Sequence, residues 1–253
     1  MTDALGVPDP WARLAALTPA RIALGRVGAS LPTRQVLQLA LAHAQARDAV
    51  HAALDVGRMR LALQAFGLAI ATVASAAPSR EAYLRRPELG ACLLADSHAM
   101  LAAGVRAPVD LALVVADGLS AAAVHAHAAP LIGHLLPHLD QAGLTLAPVV
   151  IATQARVALS DEIGELLQAR ATVILIGERP GLSAPDSLGA YLTFAPRRGR
   201  TNADRNCVSN IRAGGLGYDE AARKLAWLVT EALRGGFSGV ALKDDSGRRV
   251  IGP

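Results

Sequence analysis

Residues 171–176 read Ala-Thr-Val-Ile-Leu-Ile, and the next five, Gly177, Glu178, Arg179, Pro180 and Gly181, turn abruptly polar. An uncharged, partly β-branched run too short for most helices is the pattern of a strand covered on both faces, as in a parallel sheet. Gly177 and Gly181 allow the main chain to approach a bound molecule closely, and Pro180 stiffens the turn. The run predicts a buried strand whose C-terminal end opens onto a ligand site. It leaves the chemistry of that site open.

The surrounding pattern predicts more of the same architecture. Residues 109–116, 146–152 and 190–195 read as strands, and helical patterns cover about 121–142, 159–168 and 219–234. Strands alternating with helices imply βαβ units, with ligands gathering at the C-terminal strand ends. Asp219 and Glu220 suit a helix N-terminus, and Gly235 and Gly236 stop that helix. Ala221, Leu225, Leu228, Val229 and Ala232 share its buried face.

The first hundred residues read as helical and irregular. Ser30-Leu-Pro-Thr33 is a helix-start cluster, after which Val36, Leu39, Ala40, Val50 and Leu54 fall within one apolar arc, on which His43 and Arg47 also lie. Further helices are predicted over 58–75 and 88–103. The expected fold class is therefore α/β: an N-terminal helical region, 1–104, followed by a Rossmann-like domain, 105–253, with a parallel sheet flanked by helices. The polar tail from Lys243 reads as a loosely ordered extension.

Composition narrows the function. Apolar residues make up 52% of the chain's 253 residues but aromatics only 3%, too few for a base-stacking platform, so no nucleic-acid partner is expected. The net charge of +4 comes almost wholly from dispersed arginine, the pattern of a solvated surface. Leu61 to Ser79 is a long uncharged stretch, yet it is rich in alanine and includes Gln64, Thr72 and Ser75, which reads as a buried helix and not a membrane span. Cys92 and Cys207 match no zinc spacing, and the start Met-Thr-Asp-Ala-Leu-Gly lacks a secretory signal, so two free thiols in the cytoplasm are expected.

Several constellations bear on chemistry. Asp117-Gly-Leu-Ser120 places a capping hydroxyl at a helix start, where main-chain amides could also meet an anion. His125, His127, His134 and His138 lack a facing carboxylate set, which favours helix-surface histidines over a metal site. Asp96-Ser-His98 begins like a cobalt-ligating element, but leucine stands where glycine is needed and the segment is predicted helical. Arg197, Arg198, Arg200 and Arg205 cluster in what reads as a loop and could take a phosphate-bearing ligand or a protein partner. Cys207 beside Arg205 raises the prospect of an activated thiol, but no histidine follows His138, so packing or ligand contact is the better reading.

An ordered set of segments resembles the small subunit of ethanolamine ammonia-lyase. It runs from Thr18–Gly28, Leu31–Arg34 and Leu41–Val50 through Tyr83-Leu-Arg-Arg-Pro87 with Leu89-Gly90, and Asp117–Ser120. It continues with Asp161–Gly164, Gly177–Gly181 and Ala203–Ile211. The resemblance covers roughly residues 10 to 235 and implies an adenosylcobalamin-dependent lyase that converts ethanolamine to acetaldehyde and ammonia. It implies a TIM-barrel large subunit that binds the substrate, a heterododecamer, and a small subunit covering one side of the cofactor, whose cobalt keeps its own dimethylbenzimidazole ligand. By the same resemblance Val157, Glu178 and Cys207 contact the cofactor, with no catalytic residue on this chain. Some relatives have a longer N-terminal extension associated with a bacterial microcompartment. The short N-terminus here speaks against that address and for free assembly in the cytoplasm. The competing class is a non-catalytic module that binds a phosphate-bearing cofactor or solubilises a partner.

Overall fold

The computed structural model describes residues 9, 11–18, 20–104 and 107–247. The elements in chain order begin with α1 (Ala12–Ala15), α2 (Thr33–His51), α3 (Val56–Gln64), β1 (Ile70–Ala74), α4 (Arg80–Arg85), α5 (Ala95–Gly104) and β2 (Val109–Ala116). They continue with α6 (Ala121–Gln141), β3 (Val149–Thr153), α7 (Leu159–Leu166), β4 (Ala169–Gly177), β5 (Leu188–Phe194), β6 (Arg205–Ile211) and α8 (Tyr218–Gly235). Among the described residues the six strands form one sheet in the order β1-β3-β2-β4-β5-β6.

The period-two alternation of the strands divides the core into two layers. Leu111, Leu113 and Val115 of β2, with Val173 and Leu175 of β4, pack against α3, α6 and α8. Ala112, Val114 and Ala116, with Ile174 and Ile176, pack on the other face with Leu101 of α5 and Leu159 and Ile163 of α7. Both faces of the central strands are covered, which is why their sequences are apolar throughout. α8 buries the expected stripe and ends at Gly236, whose φ of +77° supplies the left-handed cap.

The sheet is mixed, not parallel. The pairs of β1 with β3, β3 with β2 and β2 with β4 are parallel, but β5 runs antiparallel to β4 and β6 antiparallel to β5. Only residues 178–187 join β4 to β5, too short a link for the dozen or more residues that a parallel crossover needs. β6 begins at Arg205, the last of the four arginines read as a loop cluster, while Arg197, Arg198 and Arg200 do lie in the loop before it. As an edge strand it pairs with one neighbour and has no need of a continuous apolar run.

The N-terminal half also departs from the helical expectation. The helix predicted over 58–75 stops at Gln64, Gly67 turns at φ +75°, and Ile70–Ala74 becomes edge strand β1. Alanine suggested helix, but pairing along β3 decides the matter for Ile70, Thr72 and Val73, whose branched side chains suit a strand. The sheet thus draws on residues on both sides of position 104. The 88–103 helix divides into a 3₁₀ turn, Pro87–Ala91, and α5. On α2 the buried residues are Ala42 and Ala49, while Val36, Leu37 and Leu41 are exposed, so the arc centred on Val36 is not its buried face. Pro32 precedes α2 and no side chain caps it.

Candidate functional site

β2 and β4 end side by side, and two glycines bring their exits together. A Cβ on Gly177 would lie 2.1 Å from the Ser120 carbonyl oxygen, and one on Gly118 would lie 2.3 Å from the Gly177 oxygen. Gly118 also has φ +55°, which disfavours a side chain. Leu119 N donates to Gly177 O at 2.9 Å, and Ser120 Oγ caps α6 by accepting from Ala123 N. The amides of this turn are thus committed within the protein: Leu119 N to Gly177 O and Ser120 N to Asp117 O. The capping reading of Asp117–Ser120 holds, and the anion-binding reading of those two amides does not.

From this junction the chain leaves β2 for α6 on one face, while β4 turns away into the hairpin with β5. Such divergence of connections leaves a crevice at the carboxyl ends of strands. Here it is a cavity of about 460 Å³ lined by Tyr83, Gly118, Leu119, Arg156, Val157, Ile176, Gly177, Glu178, Arg179 and Tyr191.

Glu178 forms one side of it. Its amide donates to Ser187 O at 2.9 Å, and its Oε2 accepts from Ser187 Oγ and from Asn210 N at 3.2 Å. Asn210 takes a left-handed φ of +58°, which turns its amide toward the carboxylate. The carboxylate is therefore held by neutral donors and not by Arg179. Oε1 accepts nothing among the described residues. Val157 lies in the β3–α7 turn. Its carbonyl accepts Ser160 Oγ at 2.8 Å, and its N–H makes no hydrogen bond among the described residues.

Cys207 on β6 pairs in register with Tyr191 on β5, and so stands beside the cavity wall. It is exposed as a residue, yet enough protein packs round its sulfur for desolvation to push the thiol pKa up. Tyr191's hydrogen bond opposes that shift and the Glu178 charge adds to it. The guanidinium that adjoins the thiol in sequence is engaged elsewhere. Arg205 donates to both Asp161 oxygens, at 2.6 and 2.7 Å, and to Thr193 Oγ1 at 2.9 Å, deep in the protein. Arg205 is therefore not available to activate Cys207, in line with the packing or ligand-contact reading of that thiol. The arginine cluster dissolves in the same way, because Arg198 pairs with buried Glu162 and Arg200 with Asp204.

A buried frame holds the rear of the site. Asp117 accepts from Gln154 N at 2.9 Å and Ala155 N at 3.0 Å, with the Arg80 guanidinium 3.6 Å away. Burial raises its carboxyl above the usual range against the pull of those amides and of Arg80. Gln154 is left-handed, with φ +53°, so Asp117 fixes an unfavourable turn just before Arg156 and Val157. Tyr83 is sandwiched between two guanidiniums, with Arg80 4.7 Å and Arg156 4.2 Å from its ring centroid. Its hydroxyl donates to Ala155 O at 3.1 Å, and burial pushes the phenol up to about 12.

Sequence reasoning named Val157, Glu178 and Cys207. The structure sets the first two in one cavity wall and the third against Tyr191 of that wall. It missed Arg156 and Tyr191. Tyr191 carried a faint signal, as a lone phenol within an apolar strand. Of the histidines, His125 accepts from Asp55 N, and His127 is buried between Tyr218 and Asp186. Among the described residues no group of three or more potential ligands could hold a metal ion. No helix there is long and apolar enough to cross a membrane.

Comparison with known proteins supplies the family. The family model described as ethanolamine ammonia-lyase light chain matches residues 8–243. The chain belongs to that family. It is 57% identical over 252 residues to the ethanolamine ammonia-lyase small subunit of Bradyrhizobium diazoefficiens, covering 99% of this chain and 96% of that one. It is 55% identical over 248 residues to the small subunit of Xanthomonas campestris pv. campestris, covering 96% and 91%. Against that of Pseudomonas putida it is 54% identical over 243 residues, covering 94% and 89%. The matched span, residues 8–243, includes every residue that lines the cavity of this chain.

Proposed function

We propose that this chain is the small subunit of an ethanolamine ammonia-lyase and that its 460 Å³ cavity forms one wall of an adenosylcobalamin site. Family membership over residues 8–243 carries the enzyme assignment. The convergence of Val157, Glu178 and Tyr191 on one cavity, with Cys207 alongside, supports the cofactor assignment.

The donor set fits such a ligand. A corrin is a broad apolar ring fringed with amides, with a nucleotide tail. The cavity offers Leu119, Val157 and Ile176 for apolar contact, an unengaged carboxylate oxygen on Glu178, and guanidiniums at Arg156 and Arg179. Few, well-placed polar groups in an apolar wall are the usual means of orienting a cofactor. The cavity is smaller than a whole cobalamin, so this chain would hold one edge and a partner the remainder. Bound there, the cofactor would supply a homolysable cobalt–carbon bond, and this chain's residues would orient it and exclude water. Glu178 Oε1 would accept an amide or ribose donor, and the Val157 N–H would donate to an acceptor on the ligand edge.

By this reading the chain works only with a large subunit, a TIM barrel that binds ethanolamine, in a heterododecamer assembled in the cytoplasm. The test is co-expression with the large subunit and measurement of ammonia release from ethanolamine, with and without adenosylcobalamin. Activity is expected only with both subunits and the cofactor. Activity of either chain alone, or of the complex without cobalamin, refutes the proposal. Glu178→Ala should lower corrinoid retention in the purified complex, read by visible absorbance, while subunit stoichiometry is unchanged.

A further inference from the structure

Arg156 has more hydrogen-bonding capacity than its surroundings use. Its guanidinium lies over the Tyr83 ring, and its Nη2 donates to Tyr83 O at 3.3 Å. Its Nε is buried and has no hydrogen-bond partner among the described residues. No carboxylate pairs with it there, whereas Arg80, Arg198, Arg200 and Arg205 each have one. The Nε is enclosed by protein and closed to any ligand, but Nη1 has no hydrogen-bond partner among the described residues either and is not enclosed, so the guanidinium of this cavity-lining residue keeps a free donor edge.

The surrounding residues hold this arginine in place. Arg156 N donates to Gly90 O at 2.8 Å. A Cβ on Gly90 would lie 2.9 Å from Arg156 Cγ and 2.9 Å from Tyr83 Cδ2, so only glycine leaves room for the stack. The stack and the Tyr83 carbonyl fix the plane of the guanidinium at the cavity wall. A planar, preoriented, unpaired guanidinium is the group best suited to an oxyanion. Arg179, in the same wall and without an ion pair among the described residues, adds a second positive charge.

We propose that Arg156, aided by Arg179, binds a phosphodiester oxyanion in the cavity that also holds the Glu178 carboxylate. This rests on the cobalamin reading, in which the phosphodiester is that of the nucleotide tail. Inorganic phosphate shares the same chemistry and is the other source to distinguish. The cavity then has opposite demands at two points: Glu178 takes a donor and Arg156 takes an anion.

The test uses the two-subunit complex and equilibrium dialysis read by visible absorbance. Cyanocobalamin is compared with dicyanocobinamide, which has the corrin but lacks the nucleotide and its phosphodiester, and inorganic phosphate serves as competitor. Arg156→Gln should weaken cyanocobalamin binding by about 10- to 100-fold, the loss of one charge-assisted contact, and leave dicyanocobinamide unchanged. Arg156→Lys, which keeps the charge but not the stacked plane, should fall between. Thermal melts of both variants report whether the Tyr83 stack survives. Equal losses for both corrinoids, no loss for either, or an effect confined to inorganic phosphate would each overturn the assignment. A wild-type complex that bound neither corrinoid would refute the cofactor reading itself. That outcome is distinguishable, since in all the others the wild type binds both.

Discussion

A methyl group added at Gly189 should act on the site chiefly through Glu178. Gly189 has no positive φ, so alanine fits its backbone, but the added Cβ would sit 2.9 Å from Glu178 Oε1, 3.1 Å from its Cγ and 3.2 Å from Tyr191 Cε2. Ordinary contact begins at 3.4 Å, so the carboxylate must yield by 3.4 − 2.9 = 0.5 Å. The Asn210 N to Oε2 bond is already 3.2 Å long, and a displacement of that size takes it beyond hydrogen-bonding range. Losing one bond to a charged acceptor costs about 1.5–3 kcal/mol. In a chain of this size that corresponds to a fall in melting temperature of roughly 3–12 °C. Corrinoid retention should fall on the order of tenfold, since the same movement misplaces Oε1. The assay is a double-mutant cycle of Gly189→Ala with Glu178→Ala, following melting and cobalamin absorbance in the purified complex. With the carboxylate gone, the glycine substitution should cost little further, leaving only the Tyr191 contact. Additive losses in the cycle, or a Gly189→Ala protein that melts and retains corrinoid like the wild type, would refute the reasoning.

Arg205→Ala should destabilise the fold by about 3–5 kcal/mol in urea unfolding, because it strands the buried Asp161 carboxylate. The stranded group would have a raised pKa, so the deficit relative to wild type should be smaller at pH 5 than at pH 8; a pH-independent deficit would contradict this origin. Cys207 should alkylate slowly with iodoacetamide at pH 7.5, its rate rising only as pH approaches its elevated pKa, because a raised pKa leaves less thiolate at any given pH. Peptide mapping that found Cys207 modified rapidly at neutral pH would disprove the desolvated thiol.

Several features followed from local residue patterns alone. The apolar runs of β2 and β4, the Ser120 cap, the amphipathic face of α8 and its Gly236 stop are short-range physics. The polar turn after Ile176 leads to the expectation of a ligand site, whereas Val157, Glu178 and Cys207 are named by the resemblance to a known family and not by local pattern. Pairing partners lay beyond reach. Whether Ile70–Ala74 joins a sheet depends on a free edge of β3, and whether β5 runs parallel depends on the length of the link from β4. The charges show the same division. Read along the chain, Arg205 adjoins Cys207 and Arg179 adjoins Glu178. In three dimensions Asp161 claims Arg205, Ser187 and Asn210 hold Glu178, and Arg156 emerges over Tyr83 from 73 residues away in sequence. Covalent neighbours set periodicity and capping, but strand direction and ionic partnership arise from long-range packing, where desolvation makes each buried charge select its partner.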